Sequence, residues 1–233
     1  MLQNQETVSL GNKELANWEE QRNSFWDVIE VFDKQGLLPY VMLIGSWAEY
    51  LYEYYLGPGF KSPPKTTDAD FLYRNLYRPK DRKISISQEL LEKGFIYYEH
   101  ALSEIGRYQK ADILKIEFLT RVLGSGNRGH EVIPSLGIKG ISLRDIDILH
   151  RFPITLECRG YTITVPAPEA YVMQKLLINP KRQNEDKKAK DMLSIRRLLL
   201  HLDRKKVRQI NECLTKTQQR TIERVCAEYY ITL

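Results

Sequence analysis

The fold of this chain is decided by two stretches of sequence, LIGSW at residues 43–47 and KTTDADFL at residues 65–72. The first is an apolar run that ends in Gly-Ser, before a segment that can form a helix. The second is typical of a β-strand and carries carboxylates at positions i and i+2. Side chains alternate between the two faces of a strand, so Asp68 and Asp70 are predicted to lie on one face, with Ala69 and Phe71 in the core.

The paired carboxylates and the Gly-Ser step are chemically complementary. Two carboxylates on one face repel each other unless a cation lies between them, and Mg²⁺ usually binds one or two carboxylates together with phosphate oxygens. A glycine at a strand end lets a ligand approach the backbone, and free N–H groups in a first helical turn attract phosphate. Together the segments predict phosphoryl or nucleotidyl transfer. Taken singly, each is also typical of a turn or a solvated strand face.

A third segment, ILKIEFL at residues 113–119, alternates apolar and charged residues over the length of a strand. Lys115 and Glu117 are predicted on one face, with Ile116 and Phe118 in the core. Two neighbouring strands would then bring Glu117 close to the paired aspartates. Three carboxylates of this kind are enough for a two-metal site.

In these residues the chain resembles the nucleotidyltransferase superfamily, which has the polymerase-beta-like fold. The family pattern is Gly-Ser after a strand, then Asp-x-Asp, then a third carboxylate on a later strand. The resemblance implies that Gly45 and Ser46 bind the triphosphate of an NTP substrate, and that Asp68, Asp70 and Glu117 bind Mg²⁺. Glutamate in the third position departs from the commoner aspartate.

Further along, residues 168–191 resemble the AbiEii-like branch, the toxins of type IV toxin–antitoxin systems. The matching residues, in order, are Lys175-Leu176, Arg182, Lys187 and Asp191. A lysine facing a triphosphate would stabilise the leaving group, and Asp191 would orient that lysine or accept a proton. Arg182 and Lys187 are candidate nucleotide-binding residues. The branch implies an RNA acceptor, with the 3′ end of tRNA as the candidate, and a cognate antitoxin protein. A solvated charge run between two helices is the alternative.

Composition restricts the other possibilities. The 233 residues are 42% hydrophobic and 28% charged, which is typical of a soluble globular protein. No apolar run is long enough to span a bilayer, and the first residues do not predict an export signal. An odd number of cysteines, three, suits the cytoplasm, and their spacing does not predict a metal site. Residues 168–233 contain 15 Lys and Arg against 8 Asp and Glu, which favours a polyanionic partner.

The expected fold is α/β (α+β), a mixed nucleotidyltransferase sheet with flanking helices followed by a C-terminal helical bundle. The predicted domains are 1–166 and 167–233. Hydrophobic periodicity, with Gly and Pro at the ends of segments, predicts strands at 40–45, 68–73, 95–99 and 112–119 and a hairpin at 154–158 and 161–165. The predicted helices are 14–36, 85–93, 168–178, 184–202, 203–213 and 216–230. The Pro- and Gly-rich segment 57–65 is predicted to be a loop, and it would suit a mobile flap.

Two other motifs are assigned no function. Residues 124–129 satisfy G-x-G-x-x-G, but an extended segment follows where a dinucleotide site needs a helix, so a turn is predicted. The RDID stretch at 144–147 repeats the paired acids without a preceding Gly-Ser, and it is predicted to be structural.

The sequence therefore predicts a cytoplasmic, Mg²⁺-dependent nucleotidyltransferase that uses an NTP and does not bind a membrane. RNA is the leading acceptor. The alternatives are an enzyme that modifies a small hydroxylated molecule, as antibiotic-modifying members do, and a non-catalytic protein that binds nucleotide or RNA.

Overall fold

The computed structural model describes residues 12–62, 66–80, 82–122 and 129–233. Within these ranges no helix has both the length and the apolar character that a membrane span requires. The strands are β1 (Val41–Ile44), β2 (Asp68–Tyr73), β3 (Ile96–Glu99), β4 (Gly106–Lys110), β5 (Leu114–Arg121), β6 (His130–Ile133), β7 (Ile138–Leu143), β8 (Pro153–Cys158) and β9 (Tyr161–Pro166). The helices are α1 (Asn12–Lys34), α2 (Gly45–Leu51), α3 (Glu53–Leu56), α4 (Ser87–Glu92), α5 (Asp147–Arg151), α6 (Pro168–Ile178), α7 (Glu185–Leu198), α8 (Arg204–Glu212) and α9 (Lys216–Glu228).

Strands β1 to β7 form one mixed sheet in which β5 is central. The strand order is β1-β2-β5-β4-β3. On the edge of β5 that faces β4, β7 pairs with residues 119–121, beyond those paired with β4, and β6 pairs with β7. The β2 and β5 strands are parallel, whereas β1 is antiparallel to β2 and β4 is antiparallel to β5. The two strands that carry the predicted carboxylates are therefore direct neighbours.

Helix α1 covers one face of this sheet. The ring of Phe32 lies 4.8 Å from the ring of Phe71 on β2 and 5.9 Å from that of Phe118 on β5. Ala69 and Ile116, which point the same way, are fully buried. Burial of these apolar side chains drives α1 onto the sheet, and the polar side chains of β2 and β5 are left on the opposite face.

The C-terminal helices pack around α6. This helix contacts α5, α7, α8 and α9, and most of its side chains are buried. The hairpin of β8 and β9 packs against β1, α1 and α3, and the Tyr52 hydroxyl donates a hydrogen bond of 2.9 Å to the Pro166 carbonyl. The predicted mixed sheet, flanking helices and C-terminal helices are thus confirmed, while the division at residues 166 and 167 stays a prediction.

The sequence prediction differs from the structure in four short elements. Strands β4 and β7 and helix α5 were not predicted, and the residues of β6 were predicted only as an extended segment and not as a strand of the sheet. Only Gly106 and Tyr108 of β4 are buried, and β6 buries only Ile133, so neither shows a clear apolar alternation. The motif at 124–129 lies almost wholly outside the described residues, as do residues 63–65 of the predicted flap.

Candidate active site

The predicted carboxylates lie on the face of the sheet that α1 leaves uncovered. In the register of β2 and β5, Asp68 is opposite Lys115 and Asp70 is opposite Glu117. Residues directly opposite each other project to the same face, so the four side chains form one charged group. The backbone register thus places Asp68, Asp70 and Glu117 on one face of the sheet.

Lys115 lies between two of these carboxylates. Its Nζ is 2.8 Å from Asp68 Oδ1 and 3.0 Å from Glu117 Oε1. Burial lowers the pKa of Lys115, but the hydrogen bonds to Asp68 and Glu117 outweigh that effect and hold the pKa above its ordinary value. Lys115 is therefore a fixed ammonium within the carboxylate face, a role that the sequence analysis did not assign to it.

The Asp70 carboxylate is held in an unfavourable environment for a negative charge. Burial, followed by the nearby Glu117 and Asp68 carboxylates, raises the pKa of Asp70 to about 7, although Lys115 and Lys187 act in the opposite direction. A cation bound at Asp70 would relieve this repulsion.

The oxygen donors of Asp68 and Asp70 suit a hard divalent ion such as Mg²⁺. In the described part of the chain, however, no three His, Cys, Asp or Glu side chains are grouped closely enough to hold a metal. Glu117 faces Lys115 instead. The residues present therefore fit a metal held by the two aspartates.

Position 45 needs a glycine because a side chain there would crowd Asp70. Ile44, the last residue of β1, pairs with Asp70, and the chain then turns into α2 with Gly45 at φ +68°. A Cβ at this position would lie 3.0 Å from Asp70 Oδ2. The next residue, Ser46, has a buried hydroxyl with no hydrogen-bond partner within the described ranges. An unsatisfied buried hydroxyl next to a glycine turn is suited to a bound ligand.

Asp191 fixes the two cationic groups that come from α6 and the following turn. Its Oδ1 accepts a hydrogen bond of 2.7 Å from Lys175 Nζ, and its Oδ2 accepts one of 3.1 Å from Arg182 Nε. The Asp191 side chain is only 4% exposed, whereas that of Arg182 is 34% exposed. Lys175 also lies over the ring of Tyr171, with Nζ 4.9 Å from the centroid. Asp191 thus contacts both Lys175 and Arg182, and its role in a reaction stays a prediction.

A second buried network joins α2 to the C-terminal helices. The Glu49 carboxylate accepts hydrogen bonds from Ser62 Oγ at 2.8 Å and from the Tyr171 hydroxyl at 3.0 Å, and it forms an ion pair with Arg197. Arg197 also donates a hydrogen bond of 2.7 Å to Ser62 Oγ. The sequence analysis missed this network, because its members are scattered over the chain in no recognisable motif.

All nine predicted site residues line one cleft between the sheet and helices α6 and α7. The cleft consists of two adjoining recesses of about 270 Å³ and 450 Å³. Both recesses are lined by Gly45, Asp68, Asp70, Lys175, Arg182 and Lys187. Ser46 and Asp191 line the first and Glu117 lines the second. The roles of these residues stay predictions.

The acids at 145 and 147 do not form a competing pair. Asp145 makes an ion pair with Lys181, and Asp147 begins α5 and makes one of 2.6 Å with Arg121. Each carboxylate thus has its own cationic partner, and the structural interpretation of this stretch holds.

Comparison with known proteins points to one family. A family model described as nucleotidyltransferase matches residues 23–219. No curated protein sequence matches the chain. An antigenic nucleotidyltransferase-like protein from Paracoccidioides brasiliensis has a similar fold, with a TM-score of 0.51, 13% identity, and coverage of 91% of this chain and 87% of that one.

Two structures of ANT(2″)-Ia, an antibiotic-resistance factor, have lower TM-scores. One, in complex with adenylyl-2″-tobramycin, has a TM-score of 0.45 at 13% identity and covers 86% of this chain and 95% of that one. The other, a solution structure, has a TM-score of 0.46 at 14% identity, with coverage of 90% and 95%. Because the family model spans well over half of the sequence, the chain belongs to the nucleotidyltransferase family.

Proposed function

We propose that this member of the nucleotidyltransferase family transfers a nucleoside monophosphate from an NTP to an acceptor hydroxyl in the cleft between the sheet and α6–α7. One observation carries the proposal. A carboxylate pair, a glycine turn with an unsatisfied serine hydroxyl, and a set of oriented cations line the same cleft. Phosphoryl transfer requires positioning and charge stabilisation more than covalent chemistry, and these groups supply both.

In this proposal the triphosphate lies between the start of α2 and the cations of α6–α7. The backbone at Gly45 and the Ser46 hydroxyl bind phosphate oxygens, which satisfies the buried hydroxyl. Lys175, held by Asp191 at 2.7 Å, stabilises the negative charge that develops on the leaving pyrophosphate. Arg182 and Lys187 line the same cleft and supply further positive charge to the nucleotide.

Asp68 and Asp70 would hold Mg²⁺, which would supply positive charge at the phosphate under attack. Asp70 would be ionised when the cation is bound, since a cation stabilises the carboxylate form. Glu117, on the neighbouring strand, would lie on the side from which the acceptor hydroxyl approaches.

RNA, with the 3′ end of tRNA as the candidate, is the proposed acceptor. The support is the excess of basic residues over residues 168–233, many of them exposed on α7, α8 and α9, such as Lys190, Arg204, Lys205, Arg208 and Arg220. Such residues bind a polyanion with release of counterions. The resemblance of residues 168–191 to AbiEii-like toxins extends the proposal to a toxin of the cytoplasm with a cognate antitoxin.

A small hydroxylated acceptor is the second candidate. A recess of about 270 Å³ next to Asp68 and Lys115 has mostly polar walls, which include Arg107, Gln109 and Asp112. Side chains of both charges and an amide suit the hydroxyl groups of a small polar molecule better than a polyanion.

The test is incubation with each α-³²P-labelled NTP, Mg²⁺ and either total RNA or a panel of small polyols and amino sugars. Labelled RNA supports the first acceptor, and labelled small molecules support the second. Asp70→Asn is expected to abolish the labelling. Asp33→Asn, an exposed carboxylate on α1 across the sheet, is the matched control and is expected to keep it. NTP binding without transfer to any acceptor would refute the catalytic proposal and favour a binding protein.

Expression in a bacterial host tests the toxin part separately. Growth arrest that Asp70→Asn relieves is expected. Full growth of cells that contain active enzyme would contradict the toxin proposal but would not contradict the proposed transfer activity.

A further inference from the structure

The position of Lys115 restricts what the carboxylate face can bind. Its ammonium contacts Asp68 Oδ1 at 2.8 Å and Glu117 Oε1 at 3.0 Å, and the side chain is only 22% exposed. The β2–β5 register places Lys115 opposite Asp68 and two residues before Glu117. The strand pairing therefore places Lys115 within reach of Asp68, and the alternation of β5 places it beside Glu117.

We propose that the Lys115 ammonium takes the place of a second divalent ion, so that this site holds a single divalent cation, at Asp68 and Asp70. The inference rests on the proposed function, because it concerns the metal of the same site. It assigns Glu117 to Lys115 and not to the metal, and so differs from the two-metal site on three acids that the sequence suggests.

The balance of charge supports one ion. Asp68, Asp70 and Glu117 carry three negative charges when ionised, and Lys115 carries one positive charge, so a single divalent ion makes the group neutral. In the substrate-free protein, a second divalent ion would leave two uncompensated positive charges beside Lys115 and Glu117, whose side chains are only 22% and 20% exposed. Uncompensated charge is costly in such surroundings, since the effective dielectric constant is well below that of water.

The arrangement of the contacts leaves one binding position open. Lys115 contacts Oδ1 of Asp68, so Oδ2 remains available to a metal. Asp70 makes no ion pair with Lys115 or any other residue of the described chain, and its Oδ2 lies close to Gly45. The open oxygens nearest the Gly45 turn are therefore those of the aspartate pair, whereas Oε1 of Glu117 is taken by the lysine.

Mn²⁺ binding, followed by electron paramagnetic resonance, counts the ions directly and needs no turnover. The wild-type protein is expected to bind one Mn²⁺ at this site, with no spin coupling. Lys115→Met is expected to bind two Mn²⁺ ions with the spectrum of a coupled pair, the first about tenfold more tightly because an adjacent positive charge is gone. Lys115→Arg keeps the charge and is expected to bind one.

Lys93→Met is the matched control. Lys93 bridges Asp27 at 3.1 Å and Glu30 at 2.7 Å in the same manner, but its partners are on α1. Its removal changes the net charge equally and is expected to leave the Mn²⁺ count at one. Thermal unfolding of each variant shows whether the fold is retained.

The outcomes separate the inference from the proposed function. Two Mn²⁺ ions in the wild-type protein, or an unchanged count and affinity in Lys115→Met, would overturn the inference alone. Wild-type binding that Asp70→Asn does not weaken, or no binding at all, would overturn both the inference and the metal site of the proposed function. If Lys115→Met does not fold, the wild-type and Lys115→Arg counts decide, since two ions in either would overturn the inference.

Discussion

Replacement of Gly45 by alanine tests whether the close approach of the β1–α2 turn to Asp70 matters for the site. Gly45 has φ +68°, and a Cβ there would lie 3.0 Å from Asp70 Oδ2, so the carboxylate would have to move by a few tenths of an ångström. The left-handed conformation itself costs a residue with a side chain about 1–2 kcal/mol. Gly45→Ala is therefore expected to lower the free energy of unfolding by that amount and to displace the carboxylate as well.

Gly137→Ala separates the two effects. Gly137 has the same φ of +68°, and a Cβ there would have no neighbour within 4 Å. Both variants are expected to lose a similar amount of stability in urea unfolding, followed by tryptophan fluorescence. Only Gly45→Ala is expected to lose affinity for Mn²⁺ and for a fluorescent NTP analogue, by about tenfold or more. A tenfold loss of affinity corresponds to about 1.4 kcal/mol of binding free energy. Equal ligand affinity in the two variants would refute the reasoning.

Three further predictions concern two ion pairs at the cleft and the cysteines outside it. Arg197→Met leaves the Glu49 carboxylate, which is 2% exposed, without its ion pair. The free energy of unfolding is therefore expected to fall by about 3 kcal/mol. A stability within about 1 kcal/mol of wild type would contradict this prediction. Asp191→Asn weakens the hold on both cations at the cleft, so NTP transfer is expected to fall roughly tenfold or more in a labelled-NTP assay, and unchanged transfer would remove the positioning role. Burial raises the pKa of the Cys158 thiol to about 12. At about pH 8 a disulfide reagent is therefore expected to modify the exposed Cys213 at once and Cys158 only in urea. Rapid modification of both cysteines in the folded protein would contradict the structure.

The carboxylate face of the sheet was predictable from sequence because it depends on local patterns. The alternation of residues in β2 and β5 fixes the sides on which Asp68, Asp70 and Glu117 project, and two adjacent strands suffice to bring them together. Lys115 was placed on the same face, but the alternation of one strand does not show which side chain of the neighbouring strand it will meet. That information is in the β2–β5 register.

The residues missed by the sequence analysis depend on long-range packing. Glu49 lies in α2 beside Trp47, Tyr50 and Leu51, and nothing near it in sequence indicates that Arg197 will neutralise it across the molecule. Strands β4, β6 and β7 bury few apolar side chains and are held by their neighbours in the sheet, so local periodicity is weak in them.

A crystal structure with Mg²⁺ and a non-hydrolysable NTP tests the central claim most directly, namely that one cleft binds the substrate between the sheet carboxylates and the cations of α6–α7. We expect phosphate oxygens within hydrogen-bond distance of Ser46 Oγ and Lys175 Nζ, with the metal at Asp68 and Asp70. A nucleotide whose phosphates lie outside this cleft, or that leaves the Ser46 hydroxyl and Asp70 untouched, would contradict the account.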